Sequence, residues 1–372
     1  MRYTLDKKVT IYPLLFFFLI HGSQTGVGML NFSMVLMRGA EQDSWVTLLL
    51  CGILFSLLLL MFFYLVTQAP KGDIMSLHTS IFGKTIGRVL NSLLYLYFIM
   101  VLVFYLRTYV NIIQIWVFPY TPIWLWCLII LLTAMYMVAG GFRVVVGMNF
   151  WGVLFPSLLI LIFFYPFKFA SLTELLPLFN HNLKEYWISL KLSLPLFAGI
   201  EMFLVYAPFV SIHKHNKRVG IAAIVYTTLL YVLIFIFSVA YFDVDFLSII
   251  EWPTLKLSKT ISFRLIERFE YIYVFTWLIV IIGPLCLALW SSSRIFMQEY
   301  KAKSHAIVYI TTGIVFILCS SIQSPKHLEL LEQMVNTTVL SFLFIYLPLL
   351  FVVCWIRQQT MKRHNKSQSN IG

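Results

Sequence analysis

Inside its first long apolar stretch the chain reads His21-Gly22-Ser23-Gln24-Thr25-Gly26-Val27-Gly28. Three glycines within seven residues suit a membrane helix poorly. Each costs about 1 kcal/mol against alanine in a helix interior, and an unpaired backbone group in hydrocarbon costs more still. Such a stretch fits where the freed N–H and C=O groups meet a ligand, an ion or other protein, which is how small-molecule transporters build a site near the membrane midplane. A second interruption reads Leu194-Pro195-Leu196-Phe197-Ala198-Gly199-Ile200-Glu201. Glu201 stands about ten residues from either end of its apolar stretch, roughly 15 Å deep at about 1.5 Å per residue. A carboxylate there has two readings. It contacts a ligand or cation or carries a proton, or it is a structural acid held by freed backbone. Gly26, Val27 and Gly28 offer either half-helix N–H groups to an anion such as an amino-acid carboxylate or a surface for close helix packing. His21 is either a polar relay or ligand donor, or the cap of a broken half-helix.

The elements that must hold these residues are membrane helices. Of 372 residues, 60% are apolar and 11% charged, and mean hydropathy is +0.88, where a soluble domain has roughly a quarter charged residues. The net charge of +12 sits in short loops between apolar stretches, which reads as a topology signal and not as a nucleic-acid surface. Aromatic residues make up 17% of the chain, as packed helices with interfacial Trp and Tyr belts require. Cys51, Cys127, Cys286, Cys319 and Cys354 are scattered in apolar runs with no metal spacing, so they read as core residues. No phosphate-binding loop, zinc-protease or hydrolase motif is present, so the sequence gives no support for an enzyme, a metal or a cofactor.

A span needs about 20 apolar residues. Ten stretches qualify: 10–37, 45–67, 85–117, 122–140, 144–167, 188–212, 219–242, 268–293, 305–322 and 335–356. Together they predict one all-α transmembrane domain over 1–356, followed by a polar cytoplasmic tail over 357–372 that is expected to lack order. Lys7, Lys8, Lys71, Lys84, Arg88, Lys217, Arg218 and Arg357 all fall on one side of this plan. The positive-inside rule then places both termini in the cytoplasm. Ten spans divide into two halves of five that enter from opposite sides, about 10–167 and 188–356, an inverted repeat in which span one matches span six. Arg107 lies 19 residues beyond Arg88, so it is expected to reach the outer interface and snorkel, or to serve as an outer gate. Tyr97 and Val101 share a face of span three at mid-depth.

The basic start, the HGSQTGVG break, the LPLFAGIE break and the ten-span plan together resemble the B subunit of bacterial spore germinant receptors, the spore germination permeases. That family is a branch of the amino acid–polyamine–organocation transporter superfamily. The resemblance covers the chain to about residue 356. It implies a LeuT-like five-plus-five fold with helices one and six broken. It implies a receptor subunit that binds a small nutrient, an amino acid or sugar, between spans one, three, six and eight, and signals the start of germination. The implied partners are a membrane A subunit and a lipoprotein C subunit in the spore inner membrane. Carried over by position, Gly26, Val27, Gly28, Ala198, Gly199 and Glu201 line the two breaks, Tyr97 and Val101 face them from span three, and Gly283, Pro284 and Leu287 are the positions on span eight. The alternative is a proton- or cation-coupled amino acid permease on the same fold.

Overall fold

The computed structural model describes residues 10–160, 166–210, 214–261, 268–300 and 304–369. Lys7 and Lys8 lie outside them, as does His213. Among the described residues there is no strand; one isolated parallel bridge joins Ile11 to Val210. Helices fall on all ten expected stretches. Two of these are interrupted. The first comprises α1 (Pro13–Gln24), a 3-10 turn over Val27–Leu30 and α2 (Phe32–Leu36). Then come α3 (Trp45–Gln68), α4 (Ile74–Trp116), α5 (Ile123–Ala139) and α6 (Phe142–Ile160). The sixth stretch comprises α7 (Leu183–Ser193), 3-10 turns over Leu194–Phe197 and Ile200–Met202, and α8 (Phe203–Tyr206). It is followed by α9 (Lys214–Phe242), the short helices α10 (Val244–Ile249) and α11 (Pro253–Lys259), α12 (Phe269–Tyr300) and α13 (Ser304–Ser321). The last stretch is α14 (Pro325–Ser341), a π turn over Phe342–Tyr346 and α15 (Leu347–Ser369).

Among the described residues five helices are long and apolar enough to cross a bilayer: Glu41–Gln68, Ile74–Trp116, His215–Phe242, Phe269–Tyr300 and Pro325–Thr360. The pair Leu183–Phe197 and Ile200–Phe209, bent by 44°, makes a sixth. Helix α3 shows the membrane pattern: Leu49, Leu50, Ile53, Leu57 and Leu60 are exposed, while Leu48, Cys51, Phe55, Leu59 and Phe62 are buried on the opposite face. With hydrocarbon outside, both faces are apolar and the inner one is distinguished by close packing.

Local sequence sets the helix ends. Asn182 accepts from the Lys184 and Glu185 amides while Glu185 returns a bond to the Asn182 N–H, a capping box that starts α7. Asp73 caps α4 through the Ser76 amide. Asp43, which is fully buried, accepts from Tyr186 at 3.0 Å and stands 3.2 Å from His181 Nδ1. Gln42 donates to the Pro177 carbonyl. These contacts pin the loop before α7 to the turn that follows the first stretch.

Two expectations fail here. Arg107 does not snorkel: it is buried, and its Nε donates to the Ile322 carbonyl at 2.7 Å. The C-terminal end of α13 presents free carbonyls and the negative end of its dipole, and these hold the guanidinium against protein. The tail is not without order either. Helix α15 continues to Ser369, with Arg357 donating to Ser80 O and Tyr64 to Gln358.

Candidate functional site

Both breaks form where the sequence places them, and they touch. Helix α1 stops at Gln24 and resumes as a 3-10 turn at Val27, with extended backbone at Gly26. In the sixth stretch Ala198 is extended and Gly199 sits at φ 106°, a left-handed conformation that glycine adopts without strain. A Cβ on Gly199 would run into the carbonyl of Ser23, so the glycine also permits the backbones of the two breaks to meet. Gln24 donates from Nε2 to Phe197 O at 3.1 Å. Tyr231 on α9 donates to Gln24 O and to Leu196 O, so carbonyls freed by the two breaks share one hydroxyl. Gly28 faces Leu196 Cδ2, 3.3 Å from its ideal Cβ position.

Glu201 follows directly, in the 3-10 turn after the second break, and is 1% exposed. Its Oε1 accepts from the Tyr97 hydroxyl at 2.7 Å and its Oε2 from the Gly199 amide at 2.7 Å. Short bonds to both oxygens are the geometry of a carboxylate acting as acceptor. Span three therefore holds the break through the acid. Tyr97, Val101 and Tyr105 lie at four-residue intervals on α4 and share a face. Tyr105 lies 3.7 Å from a Cβ at Gly26, and Tyr97 bonds Glu201. One stripe of α4 thus faces both breaks, with Val101 buried between the tyrosines.

A profile described as spore germination protein matches residues 10–328. The chain belongs to that family. Among spore germination proteins it is 31% identical to GerQB of Bacillus cereus over 343 residues, covering 92% of this chain and 95% of that protein. It is 24% identical to spore germination protein B2 of Bacillus subtilis (strain 168) over 277 residues, covering 73% and 74%. It is 27% identical to GerLB of Bacillus cereus over 286 residues, covering 74% and 75%. Among solved structures, MhsT in complex with L-phenylalanine superposes with TM-score 0.58 at 14% identity, covering 93% of this chain and 88% of that one. The fold is thus LeuT-like, as the resemblance implied, and both the family and the fold are those of non-enzymatic membrane proteins.

The nine residues read from the sequence do not all converge. Gly26, Val27, Gly28, Ala198, Gly199, Glu201, Tyr97 and Val101 belong to the two breaks and the stripe of α4 beside them. His21 does not reach Glu201. Its Nδ1 is 2.8 Å from Thr227 Oγ1, and Thr227 donates to Gln24 Oε1. It lines a small pocket of about 30 Å³ behind the first break, walled also by Thr25, Met29, Pro156, Leu230 and Trp277. None of the other eight lines that pocket. On span eight Gly283 packs against Asn149, whose Nδ2 donates to Gly283 O and whose Oδ1 lies 2.8 Å from a Cβ at Gly22. These two glycines serve helix packing. Gln24, Tyr231 and Tyr105 were missed. Tyr105 carried a usable signal, since it continues the spacing of Tyr97 and Val101 by one more turn.

Proposed function

We propose that this spore germination protein is the B subunit of a spore germinant receptor. It takes a small nutrient, an amino acid or sugar, at the contact between the breaks of spans one and six. In this reading all ten stretches cross the spore inner membrane and both termini lie on the spore core side. The partners are a membrane A subunit and a lipoprotein C subunit. The observation that supports it most is the joined pair of breaks: Gly199 against Ser23, Gln24 bonded to Phe197 O, and Glu201 held by Tyr97 and Gly199. Unwound backbone at mid-membrane is stable only where it lines a site or is buried in protein. Here Gly26 stands against Tyr105 and Gly28 against Leu196, so the backbone of the first break meets the second break and α4 without an intervening side chain of its own. The fold neighbour MhsT, whose structure holds L-phenylalanine, supports an amino acid as one class of ligand.

Ligand binding acts by shifting an equilibrium between conformations that partners read. The test is germination of spores lacking the gene against single amino acids, sugars and nucleosides. Loss of one response, restored by the wild-type gene but not by Glu201→Gln, is expected. An unchanged profile, together with labelled-solute uptake into vesicles that depends on Glu201, would instead make the chain a coupled permease.

A further inference from the structure

We propose that the π turn of the tenth stretch links the break at Gly199–Glu201 to a buried polar cluster at the N-terminal end of α4, so that a change at Glu201 is transmitted to His78. Every contact along the way is short. Tyr97, bonded to Glu201, stacks on Phe342 with ring centroids 5.0 Å apart. Phe342 stacks on Tyr346 at 5.5 Å with the rings 16° from parallel. The Tyr346 hydroxyl lies 2.7 Å from His78 Nε2, and His78 Nδ1 lies 2.8 Å from Asn91 Oδ1. Asn91 donates to Glu299 Oε2 at 2.9 Å, and Arg88 pairs with Glu299 Oε1 at 3.1 Å. The series starts at a 1%-exposed carboxylate and ends at an arginine whose side chain is 59% exposed.

Two features make this more than adjacency. Phe342 and Tyr346 are the first and last residues of the π turn. A π turn in an α-helix is a locus of irregular hydrogen bonding that occurs disproportionately at functional sites. Here it is the segment that presents both rings toward span three. The far end is also built around a hinge. Gly83, at φ 78°, separates the part of α4 that carries His78 from the part that carries Asn91 and Tyr97. Asn91, with Met75 O and Glu299 as its other partners, closes that hinge through His78. Tightly packed interiors move between discrete arrangements and do not deform continuously, so breaking the Tyr97 bond releases Phe342, Tyr346 and the His78 clasp in sequence. The inference rests on the span-six break being the element that responds to ligand, but its test needs no ligand.

The experiment is hydrogen–deuterium exchange of the full chain in lipid nanodiscs, read by mass spectrometry. Tyr97→Phe is expected to raise exchange at least fivefold in residues 74–92, and Tyr346→Phe to raise it at least fivefold in residues 194–206. Tyr109→Phe is the control: it removes a hydroxyl that donates to Val274 O from the same helix, off the series, and should leave both regions within twofold of wild type. Residues 123–139 serve as the reference for global loosening. If Tyr97→Phe loosens that reference too, Tyr346→Phe read at 194–206 decides alone. Changes confined to the immediate neighbourhood of each substitution, or an equal effect from Tyr109→Phe, would overturn the proposal. Failure of the nutrient reading would leave these exchange results untouched, so the two ideas fail separately.

Discussion

Gly199→Ala is the sharpest single perturbation of the joined breaks. Glycine at φ 106° is replaced by a residue for which the left-handed region costs about 1–2 kcal/mol. The added methyl also meets backbone, the Ser23 carbonyl, which cannot swing aside as a side chain would. Forcing one extra methyl into a packed site costs about 1–3 kcal/mol. Together these give about 2–5 kcal/mol, or roughly 30- to 3,000-fold at about 1.4 kcal/mol per tenfold, if the strain falls on the state that takes ligand. Two other glycines calibrate the effect. A Cβ at Gly28 comes 3.3 Å from the mobile Leu196 methyl, and one at Gly26 comes 3.7 Å from Tyr105, an ordinary contact. Gly28→Ala should therefore shift the nutrient concentration for half-maximal germination by less than about threefold through the protein alone. Gly26→Ala should leave thermal melting unchanged, so any loss of response it causes comes from the ligand. The assay is spore germination against nutrient dose, with membrane levels measured by immunoblot. A Gly199→Ala protein at normal level and within threefold of wild-type response would refute the reasoning.

Other substitutions test the surrounding packing. Gly22→Ala places a methyl 2.8 Å from Asn149 Oδ1, so it should lower the melting temperature of the purified protein, and adding Asn149→Ala should restore most of it; no rescue would dissociate the two residues. Arg107→Met removes the group that caps α13 through Ile322 O and should destabilise by about 1.5–3 kcal/mol, the range for a hydrogen bond to a charged group, seen as a lower melting temperature in detergent. Thr254 on α11 donates to Leu30 O at 2.7 Å and contacts Met29 O at 3.1 Å; Thr254→Val should therefore increase hydrogen exchange over residues 27–36 without changing it over residues 123–139.

Much of the site was legible because glycine, proline and glutamate inside apolar runs are conspicuous. The breaks at Gly26–Gly28 and Ala198–Glu201 follow from helix propensity and the cost of unpaired backbone in lipid. Their direct contact was not legible, since it depends on Gln24 reaching Phe197 O across 173 residues of chain. Helix length carried Arg107 toward the end of its stretch but said nothing of the Ile322 carbonyl just beyond α13, against which its side chain is buried. The charged composition after Arg357 suggested a tail without order, whereas helix propensity continues α15 through that stretch. The π turn left no mark in the sequence, because Phe342–Tyr346 reads as ordinary apolar helix.

The central claim is that the paired breaks hold a nutrient. Thermal unfolding of the purified chain in nanodiscs, with and without the nutrient that restores germination, tests it most directly. A ligand that binds the folded state at 100 times its Kd stabilises by about 2.7 kcal/mol. A concentration-dependent rise in melting temperature for the wild type, absent for Gly199→Leu and Glu201→Gln, is the predicted result. A rise of equal size in all three proteins, or none in the wild type with any nutrient that it makes spores respond to, would contradict the account.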